Sequence, residues 1–354
     1  MTARTVNGSS VRQPRWWPGA LVASAVALAA CGPGSPASSA SFLPATEGAS
    51  PSVAVSATTA PDAVETANPP PSGHPATAQF TIGRQPCGIA VHESTVWVTD
   101  LRRNEILTID AATDTILSRT STGSSPCAIA YRDGFLFDAE RNVRFLVKRS
   151  AETLAEVGEA LVSRGQIWDV DASADSIWFV DRDSGRAVRV DPETNTPVAV
   201  VEVGAPASGI AISAGSVWVA AEGVDEVVRI DPATNEVVAR IASGDGPLWI
   251  AADESAVWVT HVDGSLAKID AATNEVVLRV EFGGQPGELA IAAGFVWVTS
   301  QEGGLLSKVD PASGEVVGSY AIHPGLAVIQ PGAGDLWVTG YTDGLLWRVP
   351  TTLP

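Results

Sequence analysis

An apolar-Trp-apolar triplet returns along the chain at a nearly constant interval, and no other feature limits the fold so tightly. It reads Val96-Trp97-Val98, Ile177-Trp178-Phe179, Val217-Trp218-Val219, Val257-Trp258-Val259, Val296-Trp297-Val298 and Leu336-Trp337-Val338. Phe135-Leu136-Phe137 fills the second place without tryptophan. The central residues lie 39, 42, 40, 40, 39 and 40 positions apart. A period near forty demands a repeat architecture, because one such unit cannot bury its apolar face alone.

Each unit carries four β-rich runs. In the fourth unit they cover 209–212, 216–220, 227–230 and 236–241. The turn DPATN, from Asp231 to Asn235, separates the last two, and DPETN at 191, DAATN at 270 and DPASG at 310 repeat it. The leading Asp accepts a backbone N–H, Pro fixes φ, and the closing Asn or Gly tolerates the left-handed conformation. The repeats carry no helical period. Four strands in each of seven units predict an all-β fold, a seven-bladed β-propeller of four-stranded blades over 78–354. The seventh unit has only three strands, near 326–330, 336–340 and 345–349. Gln79-Phe80-Thr81-Ile82 offers the fourth, so an N-terminal strand is expected to close the ring. The tryptophan column is expected to pack between blades.

The start of the chain reads as an address. Arg4, Arg12 and Arg15 precede an apolar run from Gly19 to Ala30, and Leu28-Ala29-Ala30-Cys31 follows the pattern of a cleavage site. A basic head, a short apolar run and small residues describe an export signal over 1–30. Leu28 to Cys31 resembles the lipobox of bacterial lipoproteins, which implies that Cys31 becomes the lipidated first residue; the alternative is an ordinary signal peptide. Residues 31–77 are rich in Pro, Ala, Ser and Thr, contain no Lys or Arg, and read as a linker too polar to fold. The 354-residue chain holds 22 basic and 40 acidic residues, for a net charge of −18. Removing the signal removes three Arg and no acid. So acidic a chain excludes nucleic acid as partner, and anionic headgroups repel it, so membrane attachment falls to the lipid. Arg outnumbers Lys 19 to 3, which with the Ala-rich signal points to a high-GC Gram-positive bacterium. The lipid then holds the domain to the outer face of the cell membrane.

Cys87 and Cys127 occupy the same register in units one and two, in Pro86-Cys87-Gly88-Ile89 and Pro126-Cys127-Ala128-Ile129. Innermost strands of adjacent blades are neighbours, and export permits oxidation, so a disulfide is expected. Two buried free thiols are the alternative.

One face of a propeller carries the loops entering the first strand and those joining the second to the third. Ligand-facing candidates there are Arg102, Arg103, Asp169, Trp249 and Tyr341, beside Arg141, Arg182 and Trp168. Arg102, Arg103 and Arg141 are expected to form a small basic patch. His261, Glu288 and His323 are the catalytic candidates, since two imidazoles and a carboxylate can hold a metal or run acid–base chemistry. No phosphate loop, GxSxG, HExxH or EF-hand loop occurs.

The segments PCGIAV, STVWVTD and ILTIDAAT, and the pattern VVRIDPATNEVV, resemble YVTN-type repeats and, more loosely, virginiamycin B lyase-like and NHL propellers. The resemblance implies the seven-bladed fold over about 78–354. The lyase-like family uses His and Glu on one face with a divalent cation, which makes such a cation a possible cofactor here, with none established. The match is incomplete: that family's repeats tend to read WFTE, and here the equivalents are WVTD, WVTH, WVTS and WVTG. Three readings follow. The chain is a surface module binding an envelope protein, a glycan or a small molecule; a metal-assisted lyase or lactone hydrolase; or a structural component of the envelope.

Overall fold

The computed structural model describes residues 65–282 and 286–354. The signal and Cys31 lie outside the described residues. Seven antiparallel sheets are arranged as a β-propeller. The innermost strands are Pro86–His92, Pro126–Arg132, Ile167–Ala172, Ile210–Ser213, Pro247–Ala252, Pro286–Ala292 and Leu326–Gly332. Each touches the next, and the seventh touches the first, so the ring is closed. No α-helix occurs among the described residues.

Closure follows the expected route. Ala78–Thr81 pairs antiparallel with Leu345–Pro350 and completes blade 7, burying Phe80 and Ile82. The preceding residues, which composition places in the linker, also rest on the propeller. Glu65–Thr66 adds a fifth strand to blade 1, Asn68 bridges to Gln79, and His74 Nε2 bonds the Ile322 carbonyl at 2.9 Å.

Six tryptophans of the repeat are buried, as the period requires. Trp178, for example, packs with Ile210 and Val217 of blade 4. A second column runs beside it. In blade 2 the register puts Phe137, and not Leu136, in the tryptophan place. Directly across from the repeat aromatic, the third strand carries Lys148, Arg189, Arg229, Lys268, Lys308 or Arg348 in blades 2 to 7. Arg229 lies 4.8 Å from the Trp218 ring centre and Arg348 lies 5.6 Å from that of Trp337. Each cation then reaches the neighbouring blade's turn. Arg229 donates to the Ala271 carbonyl and to Asn274 Oδ1, and Arg189 to Pro232 O and Asn235 Oδ1. Lys148 donates to Glu193 O and Lys268 to Pro311 O. Lys308 uses Leu353 O of the tail after blade 7. Arg348 closes the circle on Ala111 O and Asp114 Oδ1 of blade 1. The turn residues Asn235, Asn274 and Asp114 have φ of 60°, 62° and 52°, which brings their side chains into this contact.

Candidate functional site

At blades 1 and 4 the inner strand meets its neighbour backbone to backbone, at Gly88 and Gly209. A Cβ on Gly88 would lie 2.1 Å from Cys127 O, so only glycine fits there. The same column in blades 3 and 6 breaks this rule with Asp169 and Glu288, and Asp171 breaks it one layer further along. These carboxylates cap inner-strand N–H groups that no fifth strand covers. Ile210 N donates to Asp169 Oδ2 at 3.0 Å, Ile212 N to Asp171 Oδ2 at 2.8 Å, and Ile329 N to Glu288 Oε2 at 3.2 Å.

Loops from blades 1, 2, 3 and 7 build the opening above them. The buried Asp100 carboxylate accepts the N–H groups of Arg84, Gln85, Arg102 and Arg103, which holds both connections of blade 1 in place. Arg102 Nε donates to Gln85 Oε1 at 2.8 Å. Trp168 is half-buried, with the Arg141 and Arg182 guanidinium carbons 4.2 and 4.4 Å from its ring centre. Arg182 is tied to Glu222 at 2.5 Å. Arg141 is buried, with Tyr341, Arg182, Asp169 and Glu288 near enough to act on it electrostatically. It is therefore a central post of the mouth, and it does not belong to an exposed patch with Arg102 and Arg103.

Burial sets the protonation of this cluster. It pushes the Asp169 carboxyl up to about 7, against the hydrogen bond from Ile210 and the charge of Arg141. It pushes Asp171 up to about 6. Glu288 is raised well above the carboxylate range by burial, with the charge of Asp169 adding to it. Arg141 is pushed down to about 10 by burial, and Tyr341 up to about 12. Near neutral pH the carboxyls can thus donate a hydrogen bond as well as accept one. The mouth offers guanidinium, indole, phenol and carboxyl groups within one recess.

The three catalytic candidates do not assemble. His261 is fully buried, its ring nitrogens on Ser243 Oγ at 3.2 Å and Ser265 Oγ at 3.3 Å, and burial lowers its pKa. His323 pairs with Asp343 at 3.2 Å and stacks on Trp347. Glu288 bonds the backbone of blade 7. Among the described residues no group of three His, Cys, Asp or Glu side chains could hold a metal. The two histidines lie in loop-end positions of the expected face, but their rings turn into their own blade junctions. Of the expected rim, Asp169 and Tyr341 join Glu288 around Arg141, and Arg102 bounds the opening through Gln85. Arg103 is exposed beside it. Trp249 packs half-buried against blade 6. The capping role of Asp171 escapes the sequence reading; the signal was an acid in a column otherwise filled with Ala and Gln.

Cys87 and Cys127 are joined as a disulfide, with Cα atoms 4.7 Å apart. The bond links the first two inner strands, and the Arg141 N–H bonds Ser125 O just ahead of the second.

No protein-family model matches the chain, and no curated protein does. Solved structures match well in shape. Virginiamycin B lyase from Staphylococcus aureus aligns with a TM-score of 0.66 at 15% identity, over 77% of this chain and 98% of that one. A catalytically inactive form of that lyase with quinupristin gives 0.65 at 16%, over 77% and 98%. BamB from Moraxella catarrhalis gives 0.58 at 15%, over 76% and 84%. At this identity the likeness is one of fold: the chain is a seven-bladed β-propeller of the virginiamycin B lyase-like shape.

Proposed function

We propose that this chain is an exported, lipid-anchored propeller that serves as a binding module on the outer face of the cell membrane. Its channel mouth meets the partner, an envelope protein, a glycan or a small molecule. The observation that carries the reading is the recess around Arg141, where blades 2, 3, 6 and 7 bring Trp168, Asp169, Glu288 and Tyr341 to one opening. Aromatic faces and recessed hydrogen-bonding groups are what a binding site needs to gain energy on desolvation. A lyase of this fold was solved with quinupristin, so the architecture accommodates a ligand. The lipobox at Cys31 and the net charge of −18 support attachment by lipid.

Two experiments on the full chain in cells test this. Metabolic labelling with a palmitate analogue should mark the wild type and miss Cys31→Ser, which should appear in the medium; labelling of Cys31→Ser would remove the lipid anchor. A photoreactive residue at Arg103, on the mouth, should cross-link to a partner that the same residue at Ala233, in a turn on the opposite end, does not reach. Trp168→Ala should abolish that cross-link. A partner captured only from position 233 would overturn the assignment of the mouth.

A further inference from the structure

Six of the seven blade junctions share one handshake, a cation of one blade bonded to the turn of the next. The junction between blades 1 and 2 lacks both halves. Thr108 stands where the cation belongs, directly across from Trp97. Leu154 stands in the turn where Asn235, Asn274 or Asp114 accepts, and its side chain is buried against Trp97 and Ile106. Tyr131 of blade 2 stacks on Trp97, with ring centres 5.4 Å apart, in place of the missing guanidinium.

The core of this junction departs as well. Leu136 of blade 2 packs with Trp97 and Ile106 of blade 1. By strand alternation Asp138 and Glu140 share that face, and Arg149 lies directly across from Leu136. Elsewhere the position of Asp138 is held by Val98, Phe179, Val219, Val259, Val298 and Val338, and that of Arg149 by Ile or Val. Arg149 bonds Asp138 at 2.8 Å and Glu140 at 3.0 Å. Asp138 Oδ2 is buried with no partner. A buried ion pair contributes less than the apolar packing it replaces, and a bare acceptor costs more.

The chain's disulfide falls at this same junction. We propose that blades 1 and 2 form an oxidation-dependent seam, in which the Cys87–Cys127 bond replaces the handshake that holds every other junction. A disulfide donor of the exported compartment takes two electrons and two protons from the thiols and leaves as a dithiol, and the ring is locked. In the reducing cytoplasm the seam stays loose and the other six junctions hold. Because Arg141 sits on blade 2 beside the bonded strand, its placement depends on this bond.

Hydrogen exchange on the full chain tests the seam. In the Cys87→Ser, Cys127→Ser form, amides of Pro86–His92 and Pro126–Arg132 should exchange on the order of tenfold faster or more, and those of Pro247–Ala252 should keep their rate. Adding Thr108→Arg and Leu154→Asn installs the handshake and should restore protection at blades 1 and 2. If the serine form does not fold, the two added substitutions should restore folding. Unchanged exchange, a uniform loss around the ring, or a failure of the installed handshake to restore either property would each overturn the proposal.

Discussion

Among single residues, the recessed carboxyls make the most distinctive prediction. The carboxyls of Asp169 and Asp138 are pushed to about 7 and that of Asp171 to about 6, all from 3.8. Between those limits the folded chain binds more protons than the unfolded one, so stability falls as pH rises. These groups therefore contribute in full only below their unfolded value of 3.8, and that contribution falls steadily as pH rises and is gone by about pH 7 to 8. Turn residues act in the opposite direction: bonds from Thr113 and Ala112 hold Asp110 below its ordinary value, so its contribution is lost only as pH falls through that range. The thermal midpoint should rise on acidification from pH 8 to 5.5, and Asp169→Asn with Glu288→Gln should flatten that rise. An equal slope in the double variant would show that the mouth carboxyls are ionised throughout.

At the scale of elements, the handshake explains why the turn and the third strand share a motif. In VVRIDPATN the Arg serves the next blade and the Asn serves the previous one. Arg229→Met should cost about 1.5–3 kcal/mol, the range for hydrogen bonds of a charged donor, as read from urea unfolding. Thr108→Val, where no handshake exists, should stay within about 0.5 kcal/mol. Strand positions were legible in the sequence because period two, Trp placement and Asp-Pro turns all point the same way. In the fourth unit the observed strands are Ile210–Ser213, Ser216–Ala221, Glu226–Asp231 and Glu236–Ala242, within two residues of the expected ends. The site was less legible. Glu288, Asp169 and Tyr341 could be placed on the right face, but a propeller junction and its channel are both built from loop ends. Whether a side chain turns into one or the other depends on partners in other strands and loops that the repeat pattern does not single out. His261 turned to Ser243 and Ser265, and Arg141, read as a surface charge, turned inward.

For the whole molecule, closure rests on one strand. Phe80 and Ile82 are almost fully buried, and each is worth about 1.5–3 kcal/mol. Their loss together approaches the net stability of an ordinary domain, about 5–15 kcal/mol. A chain begun at Arg84 should therefore lose its cooperative thermal transition, followed by tryptophan fluorescence, while one begun at Pro61 should keep it. A sharp transition in the shorter chain would mean that six full blades and three strands suffice.

The route of the chain into the ring also decides how it meets mechanical load. Tension applied ahead of Glu65 arrives first at a two-residue pairing on blade 1, backed by the Glu65–Arg119 ion pair, then at the Asn68 bridge and the His74 bond, and last at the strand that closes blade 7. The outer contact is the weaker one and yields first. Pulled in a force experiment, it should let out a short length of chain before the ring opens, as a mechanical fuse does.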